Sequence, residues 1–250
     1  SEVSELLIRG GTLIDGSGRA RRRADVMVDG GVITEIGLLG GRKANRIVEA
    51  EGQIVSPGFV DVHTHMDAQI AWDPMGESSC FHGVTTAVMG NCGFTLAPVR
   101  SDERHLVVRN LERAEDISAE AMAAGIDWSW ETFPEYLNFV DRTPKGINYA
   151  GYIGHSALRT WAMGERAFED SANEDDLALM VGQLRSAMKS GAMGFTTSVS
   201  VNHATSDDRP VASRMADWSE VELLVSEMGK LGAGIFELAH HHDLRSRDPE

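Results

Sequence analysis

Hydrophobic and polar positions follow two different rhythms along the chain, and the change falls near residue 57. Up to Val55, short apolar runs are separated by Gly-Gly, Asp-Gly and Asp-Gly-Ser turn signals. This pattern predicts a small antiparallel β module. After Pro57-Gly58, single apolar strands alternate with long segments of helical period, which is typical of βα units around a parallel sheet. The pattern therefore predicts two domains, residues 1–57 and residues 58–250.

The second region contains five candidate strands separated by candidate helices. The strands are predicted at 59–64, 84–89, 147–153, 192–198 and 233–239. The clearest helix is 173–190, with an acidic first turn and a glycine stop at Gly191, and 218–231 repeats this pattern. The stretch 101–125 is predicted to be helical and to lie at the surface. The predicted fold class is therefore α/β.

Composition and charge narrow the possible partners. The chain has 250 residues, of which 42% are hydrophobic and 24% charged, as is typical of a soluble globular enzyme or binding domain. Its formal net charge of −15 repels phosphate backbones and anionic membranes, so we expect neither nucleic acid nor membrane partners. Two cysteines, Cys80 and Cys92, are too few for a disulfide framework and favour a reducing cytoplasmic location. Oligomeric state is unknown from the sequence.

The run Asp61-Val62-His63-Thr64-His65-Met66-Asp67 carries the first candidate chemistry. Side chains two residues apart on a strand project to the same face, so His63 and His65 are expected to leave the strand end side by side. Neutral imidazoles are strong ligands for zinc. Two accidental or internally satisfied histidines are the alternative. The preceding buried-looking strand and the flanking aspartates favour a metal site.

A second motif, Gly90-Asn91-Cys92-Gly93, follows the next predicted strand. Catalytic and ligand-binding groups of barrels lie on loops at the carboxyl ends of the strands. A nearby divalent cation would deprotonate the Cys92 thiol, which could then bind zinc. A small buried residue in a tight glycine turn is the alternative for Cys92. For Cys80 we expect a packed thiol in the core.

These motifs resemble the amidohydrolase superfamily, and within it the D-aminoacylase / N-acyl-D-amino-acid deacylase group. The resemblance is carried by DVHTHMDAQ, WDP and HGVTTAVMGNCGFTLAPVR, and it extends through LIRGGTLIDGSG, IVSPGFVDVHTH, GYIGHSALR and SGAMGFTTS. The Gly-Asn-Cys-Gly element is the more specific one, since related hydantoinases and dihydroorotases lack this cysteine and use a carboxylated lysine. The predicted fourth strand contains no lysine in Gly194–Ser198.

The resemblance implies a metal-dependent (β/α)8 TIM-like barrel with a small β-sandwich to which residues 1–57 contribute. It implies Zn2+, with Cys92 and histidines of the fifth and sixth strands forming a tight site. His63, His65 and an aspartate of the eighth strand would surround a second, weaker site, and this aspartate would be the general base. About five barrel strands are present, so we expect an N-terminal portion of a chain about twice as long, with the base beyond residue 250. By itself, the 250-residue polypeptide is expected to be inactive or prone to aggregation.

The fifth predicted strand departs from the pattern of this group. A single histidine followed by arginine is expected there, whereas this chain reads Glu237-Leu238-Ala239-His240-His241-His242. With one inserted residue the ligand position falls on His240. Glu237 and His242 are the alternatives, and a solvated histidine loop is a further one.

The other histidines can be explained by structural or solvent-exposed positions. His155, at the end of the third strand, is a candidate substrate-binding residue, but we favour a structural role for it, such as capping the helix that follows. We expect a structural role for His82 and solvated positions for His105 and His203, although the polar loop VNHATSDDRP that contains His203 could form a flap over the site.

The resulting hypothesis is a zinc-dependent hydrolase of linear amides, chiefly of N-acyl-D-amino acids, with a small-molecule substrate. A hydrolase of cyclic amides and a catalytically inactive barrel are the alternatives.

Overall fold

The computed structural model describes residues 3–113 and 117–240. The chain divides into two compact units, Ser1–Gly58 and Phe59–Glu250. His242, one of the predicted alternatives for a metal ligand, lies outside the described residues. Across the described residues, no helix is long and apolar enough to cross a membrane.

The first unit is a single five-stranded sheet. Its strands are β1 (Ser4–Leu13), β2 (Arg22–Asp29), β3 (Val32–Gly37), β4 (Ala44–Glu49) and β5 (Ile54–Val55). The path β3-β2-β1-β4 defines their order, and β5 also pairs with β1. Small apolar clusters stabilise the sheet, one of them formed by Leu7, Met27 and Leu39.

The prediction of an antiparallel module is only half right. β2 pairs antiparallel with β1 and β3, but β4 and β5 pair parallel with β1. Antiparallel neighbours can be joined by a tight turn, here Gly30-Gly31 between β2 and β3, whereas parallel neighbours need a long crossover. The β2–β3 hairpin provides that crossover, so β4 reaches the other side of β1. Local turn signals reveal the hairpin but not the crossover.

The second unit contains the parallel strands. They are β6 (Phe59–Asp61), β7 (Val84–Met89), β8 (Asn148–Gly151), β9 (Ile153–Gly154), β10 (Gly194–Ser198) and β11 (Ile235–Ala239). They pair in sequential order as β6-β7-β8 and β9-β10-β11, and every pair is parallel. Each of the five predicted strand segments is confirmed. The third is interrupted at Tyr152, whose backbone N–H donates to the carbonyl of Met89 at 3.0 Å.

Seven helices lie between these strands in the described residues. They are α1 (Glu77–Cys80), α2 (Arg104–Leu111), α3 (Ala119–Gly125), α4 (Phe133–Arg142), α5 (His155–Met163), α6 (Glu174–Ser190) and α7 (Trp218–Gly229). The predicted helix at 173–190 is confirmed: Asn173 and Asp176 form a reciprocal capping box, and Gly191 ends it at φ 112°. The strands and helices alternate, which makes the second unit an α/β fold.

The predicted surface position of residues 101–125 is wrong for the side chains that matter to packing. Leu106, Val107 and Leu111 of α2 and Met122 of α3 are each at most 1% exposed. Val107, Leu111 and Met122 belong to the main apolar cluster, which also contains Phe94, Phe133 and Phe195. Helix α2 has charged residues on one face and buried apolar residues on another. The mixed composition of the segment does not reveal the apolar face.

Candidate metal centre

Three ligand-type side chains converge where β6 and β7 end. His63, His65 and Cys92 each offer one ligand atom, and these atoms lie within 4.8 Å of one another. The Sγ of Cys92 is 3.3 Å from the Nε2 of His63. Because β6 and β7 are parallel neighbours, the segments that follow them leave the same edge of the sheet. The structure therefore brings together the three residues that the two motifs predicted.

The His63 and His65 segment lies just past β6 rather than inside it. β6 ends at Asp61, but the backbone N–H and hydroxyl of Thr64 both donate to the carbonyl of Val88, at 3.0 and 2.8 Å. These bonds hold the segment against β7. The imidazoles on either side of Thr64 lie with ring centroids 5.4 Å apart.

Cys92 lies in a turn that requires an uncommon backbone conformation. Its own φ is 58°, and Gly90 before it has φ 81°, both in the left-handed region. A Cβ on Gly90 would lie 2.5 Å from the carbonyl oxygen of Tyr152, so this position also requires a residue without a side chain. The turn thereby aims the buried thiol at His63.

Two side chains fix the turn to the neighbouring strands. The amide of Asn91 donates to the carbonyls of Thr64 and Val88, at 3.1 and 2.9 Å. The hydroxyl of Thr196 on β10 accepts from the N–H of Gly93 at 3.0 Å and donates to the carbonyl of Gly90. The turn is therefore held at both ends, from β7 and from β10.

Burial determines the protonation of the cluster. It lowers the pKa of His65 to about 4, so this imidazole is neutral at pH 7 and its lone pair is available to a metal. Burial, with the nearby Glu237 carboxylate, raises the pKa of the Cys92 thiol to about 12. A divalent cation would invert this preference, because a coordinating thiol loses its proton.

Glu237 is the residue of the fifth strand that reaches this cluster. Its Oε2 accepts the backbone N–H of Cys92 at 2.8 Å, and its Oε1 lies 3.9 Å from the Cys92 Sγ. Glu237 pairs in register with Thr196, whose hydroxyl contacts the same turn, so both residues face it. Burial raises the pKa of Glu237.

His240, the first choice for the fifth-strand ligand, is not brought to the cluster. It is exposed and follows the end of β11 at Ala239, and the converging ligand atoms found in the described chain belong to His63, His65 and Cys92. The register of β11 against β10 explains the difference, because it turns Glu237 toward Cys92. The run of histidines alone carries no information on this register.

His155 lies elsewhere, in a buried polar network. Its side chain has no exposed surface, Nδ1 lies 2.7 Å from the hydroxyl of Thr197, and Nε2 lies 2.7 Å from the Glu220 carboxylate. Glu220 also accepts from Arg159 at 2.6 Å. Both ring nitrogens of His155 thus have partners within the fold, as the favoured structural role predicts, and the structure does not bring His155 to the cluster of His63, His65 and Cys92.

Two residues near the centre were missed by sequence reasoning. His203 was expected in solvent, but it is half-buried, its Nδ1 lies 2.6 Å from the Ser198 hydroxyl, and its ring is 5.0 Å from that of Phe94. Phe94 in turn lies 5.9 Å from His65. The sequence could have indicated a place near the site, because His203 follows the carboxyl end of β10, where the functional residues of α/β barrels lie.

Asp67 is the second missed residue. It is 1% exposed, its Oδ2 accepts the N–H of Gly90 at 2.9 Å, and its Oδ1 is buried without a hydrogen-bond partner. Burial raises the pKa of this carboxyl to about 7. Its signal was its place two residues after His65. His82 and His105, by contrast, are exposed, and Cys80 is half-buried beside an apolar cluster.

The donor set fits a divalent metal such as zinc. Neutral imidazole nitrogens and a thiol are the ligand types that zinc prefers. Within the part of the chain that the structure describes, the Nδ1 of His65 is buried without a hydrogen-bond partner, although buried polar atoms are normally satisfied. A cation bound between these side chains would suit both observations.

Comparisons with known proteins identify the family of this chain. The model of the amidohydrolase family matches residues 46–245. A D-aminoacylase from Alcaligenes xylosoxydans xylosoxydans is 38% identical over 197 residues, which are 79% of this chain and 38% of the relative. The chain thus spans about two-fifths of the length of the curated relatives it matches.

Two solved structures have the same fold over nearly the whole chain. N-acyl-D-glutamate deacylase from Bordetella bronchiseptica, complexed with zinc and a phosphonate mimic of the tetrahedral intermediate, is 31% identical with a TM-score of 0.76. That match covers 95% of this chain and 45% of the deacylase. A D-aminoacylase with a binuclear metal centre is 28% identical with a TM-score of 0.75, over 93% of this chain and 44% of that one. The family match covers most of the sequence, and this chain belongs to the amidohydrolase family.

Proposed function

We propose that this chain is part of a zinc-dependent hydrolase that cleaves the carbon–nitrogen bond of linear amides, chiefly of N-acyl-D-amino acids. The observation that carries the proposal is the convergence of His63, His65 and Cys92 at the ends of two parallel strands. The relatives named D-aminoacylase and N-acyl-D-glutamate deacylase support the substrate class. The substrate would be a small N-acyl amino acid.

We also propose that β6–β11 supply the first five strands of a (β/α)8 barrel and that residues 1–57 contribute to a composite β-sandwich. Sequential pairing of parallel strands supports the barrel. Phe59 on β6 and Ile235 on β11, at the two outer strands, are 65% and 49% exposed. Further strands of a longer protein would cover these edges, and the general-base aspartate would come from one of them.

The chemistry divides between a bound metal and the side chains of this chain. Zinc held here would polarise the amide carbonyl and lower the pKa of a bound water. His65 remains neutral because burial lowers its pKa, so it offers a nitrogen lone pair without first losing a proton. Asn91 and Thr196 hold the turn of Cys92, which keeps its sulfur beside the Nε2 of His63. The chain thus provides a preorganised ligand set rather than one assembled on binding.

Cyclic amides fit this chain less well than linear ones. Related hydantoinases use a carboxylated lysine of the fourth strand, whereas β10 has the sequence Gly-Phe-Thr-Thr-Ser. Cys92 in the cluster also favours a linear amide, because the related hydantoinases lack this cysteine. We therefore keep the linear amide as the proposed substrate.

Metal analysis of the full-length protein tests the proposal. We expect purified protein to retain zinc after dialysis, and the Cys92→Ala variant to lose most of it. Cys80→Ala is the matched control, because Cys80 lies on α1 outside the cluster and is expected to keep the metal. A wild-type protein that binds no divalent metal would contradict the proposal and favour an inactive barrel.

A substrate panel then separates the two enzyme hypotheses. N-acyl-D-amino acids, their L-enantiomers and cyclic ureides would be compared at equal concentration, with and without a chelator. We expect chelator-sensitive release of the free D-amino acid. Activity confined to the cyclic ureides would overturn the choice of a linear amide.

A further inference from the structure

We infer that Glu237 is a metal ligand, which extends the donor set to His63, His65, Cys92 and Glu237. This inference rests on the proposed zinc centre and specifies the fifth-strand ligand of that centre. It replaces the histidine predicted at 240 by a carboxylate that belongs to β11 itself.

The distances between the donor atoms support a shared ion. Two atoms bound to one zinc at the tetrahedral angle, at about 2.3 Å for sulfur and about 2.1 Å for nitrogen or oxygen, lie about 3.6 Å apart. The Cys92 Sγ is 3.3 Å from the Nε2 of His63 and 3.9 Å from the Oε1 of Glu237. Both separations are close to the value for neighbouring ligands, so the thiol occupies a middle position between an imidazole and a carboxylate. Glu237 is outside the group of three ligand atoms that all lie within 4.8 Å of one another, so its carboxylate approaches from the Cys92 side and would have to move toward the imidazoles to share the ion.

The two carboxylate oxygens have different surroundings. Oε2 accepts the backbone N–H of Cys92 at 2.8 Å, which orients the carboxylate. Oε1 is the oxygen on the side of the thiol, and among the described residues it makes only the long contact of 3.9 Å with the Cys92 Sγ. A metal ligand is commonly oriented through its second polar atom in this way. One oxygen therefore serves as the anchor, and the other is available to the metal.

The charge balance of the cluster also favours a cation. Glu237 is half-buried and lies against a buried thiol, with no lysine or arginine forming an ion pair with it in the described chain. A carboxylate in such a place normally requires a positive partner. A divalent ion bound by Glu237 and a Cys92 thiolate would be neutralised by their two negative charges, and the two neutral imidazoles complete its coordination.

The position on the sheet explains why this residue can reach the site. Glu237 pairs with Thr196, and the hydroxyl of Thr196 holds the Gly90–Gly93 turn. Phe236, the preceding residue, stacks on Phe195 with ring centroids 6.0 Å apart and packs into the apolar cluster. Since side chains alternate along a strand, Glu237 faces away from this packing and toward the turn.

Zinc affinity of the full-length protein tests the assignment, by competition with a chromophoric chelator. We expect Glu237→Gln to weaken zinc binding by at least about 100-fold, since changes to groups that only orient ligands cost about 10–100-fold. The glutamine oxygen can still accept the Cys92 N–H, so a role limited to holding the turn predicts nearly unchanged affinity. Glu222→Gln is the control, because Glu222 is exposed on α7.

Cobalt substitution provides a readout that does not depend on activity. The thiolate-to-cobalt absorption band should persist in Glu237→Gln, while the visible bands that report the ligand field change. Loss of both bands together with the circular dichroism of the fold would identify misfolding, and Glu237→Asp would then be measured in its place, with weakened metal binding still expected. Metal binding by the wild type that is abolished in Cys92→Ala but unchanged in Glu237→Gln and Glu237→Asp would overturn this inference alone. Absence of metal from the wild type would refute the proposed function itself.

Discussion

Two polar clusters contact adjacent residues of β10, and they differ in how the ring nitrogens of their histidines are satisfied. Thr196 contacts the turn of Cys92 on one face of the strand, and Thr197 contacts His155 on the other. On the His155 side, both ring nitrogens have partners within the fold. On the Cys92 side, the Nδ1 of His65 is buried and has no hydrogen-bond partner among residues 3–113 and 117–240.

This difference separates a structural cluster from a binding one. A buried polar group that has all its partners stabilises the fold. Removing one partner destabilises the fold, because the other partner stays buried without its hydrogen bond. Among the described residues, the Nε of Arg159 also has no hydrogen-bond partner, although both terminal nitrogens of its guanidinium donate to acceptors. A buried atom without a partner therefore indicates a missing ion only where side chains that bind metals converge, as they do at His65. Both clusters contain histidine beside strand ends, so residue type and position alone do not distinguish them.

The largest expected effect on stability comes from the structural cluster. Glu220→Ala would leave His155 and Arg159 buried without the carboxylate that pairs with both. We expect the free energy of unfolding to fall by about 3–5 kcal/mol, the usual cost of breaking a buried ion pair from one side. Urea denaturation measures this, with exposed Glu222→Ala as the control expected to change it by less than about 0.5 kcal/mol. If Glu220→Ala lost no more unfolding free energy than the control, the distinction between a structural and a binding cluster would be wrong.

The second effect concerns metal binding with little change in stability. His65→Ala removes a ring whose Nδ1 has no hydrogen-bond partner, so the metal-free protein should lose only about 1 kcal/mol of unfolding free energy. Zinc affinity should fall by at least about 100-fold, which corresponds to about 2.7 kcal/mol. Chelator competition and urea denaturation of the metal-free protein measure the two quantities separately. The pattern would be broken if stability fell as for Glu220→Ala while zinc affinity was retained.

A smaller effect is expected from the residue that links β10 to the turn. Thr196→Val keeps the shape of the side chain but removes the bonds to Gly93 and Gly90. We expect a loss of about 1–3 kcal/mol in unfolding free energy and about 10-fold in zinc affinity, because the turn would be held less firmly. Thr85→Val is the matched control, since Thr85 is exposed on β7. Equal zinc affinity in Thr196→Val and Thr85→Val would show that the turn needs no support from β10.

The smallest effect is a pH dependence of the structural cluster. Burial lowers the pKa of His155 below its usual value of about 6.5, although the bond to Glu220 opposes this shift. The unfolded chain therefore binds a proton below about pH 6.5 while the folded chain does not, so the unfolding free energy contributed by His155 is complete above about pH 6.5 and declines as the pH falls. Urea denaturation of the wild type and of His155→Gln between about pH 5 and 8 isolates this contribution. Parallel stability curves for the two proteins would exclude it, and His105→Gln controls for exposed histidines.

Much of the second unit could be predicted from the sequence, because its determinants are local. The apolar run 84–89 coincides with β7, and Asn173 with Gly191 marks the ends of α6. The motifs also led to His63, His65 and Cys92, since short spacing and strand ends suffice to bring them together. These features need no knowledge of distant partners.

The remaining features depend on pairings that a single segment does not reveal. The choice of Glu237 over His240 follows from the register of β11 on β10, and the parallel pairing of β4 with β1 follows from a crossover. The structural role of His155 requires Glu220, which lies 65 residues away in the chain. Likewise, the position of His203 near His65 depends on Phe94, whose ring lies against both imidazoles.

The close packing of the Cys92 turn limits how this site can diverge. A Cβ on Gly154 of β9 would lie 2.6 Å from the carbonyl oxygen of Gly93, so the turn rests directly on the third strand segment. Insertions or larger residues there would displace the backbone that presents the sulfur. Evolution or engineering of a new metal preference is therefore expected to exchange donor side chains while retaining the turn. Moving the four-residue motif into another protein would also require a glycine at the position of Gly154, against which the turn packs.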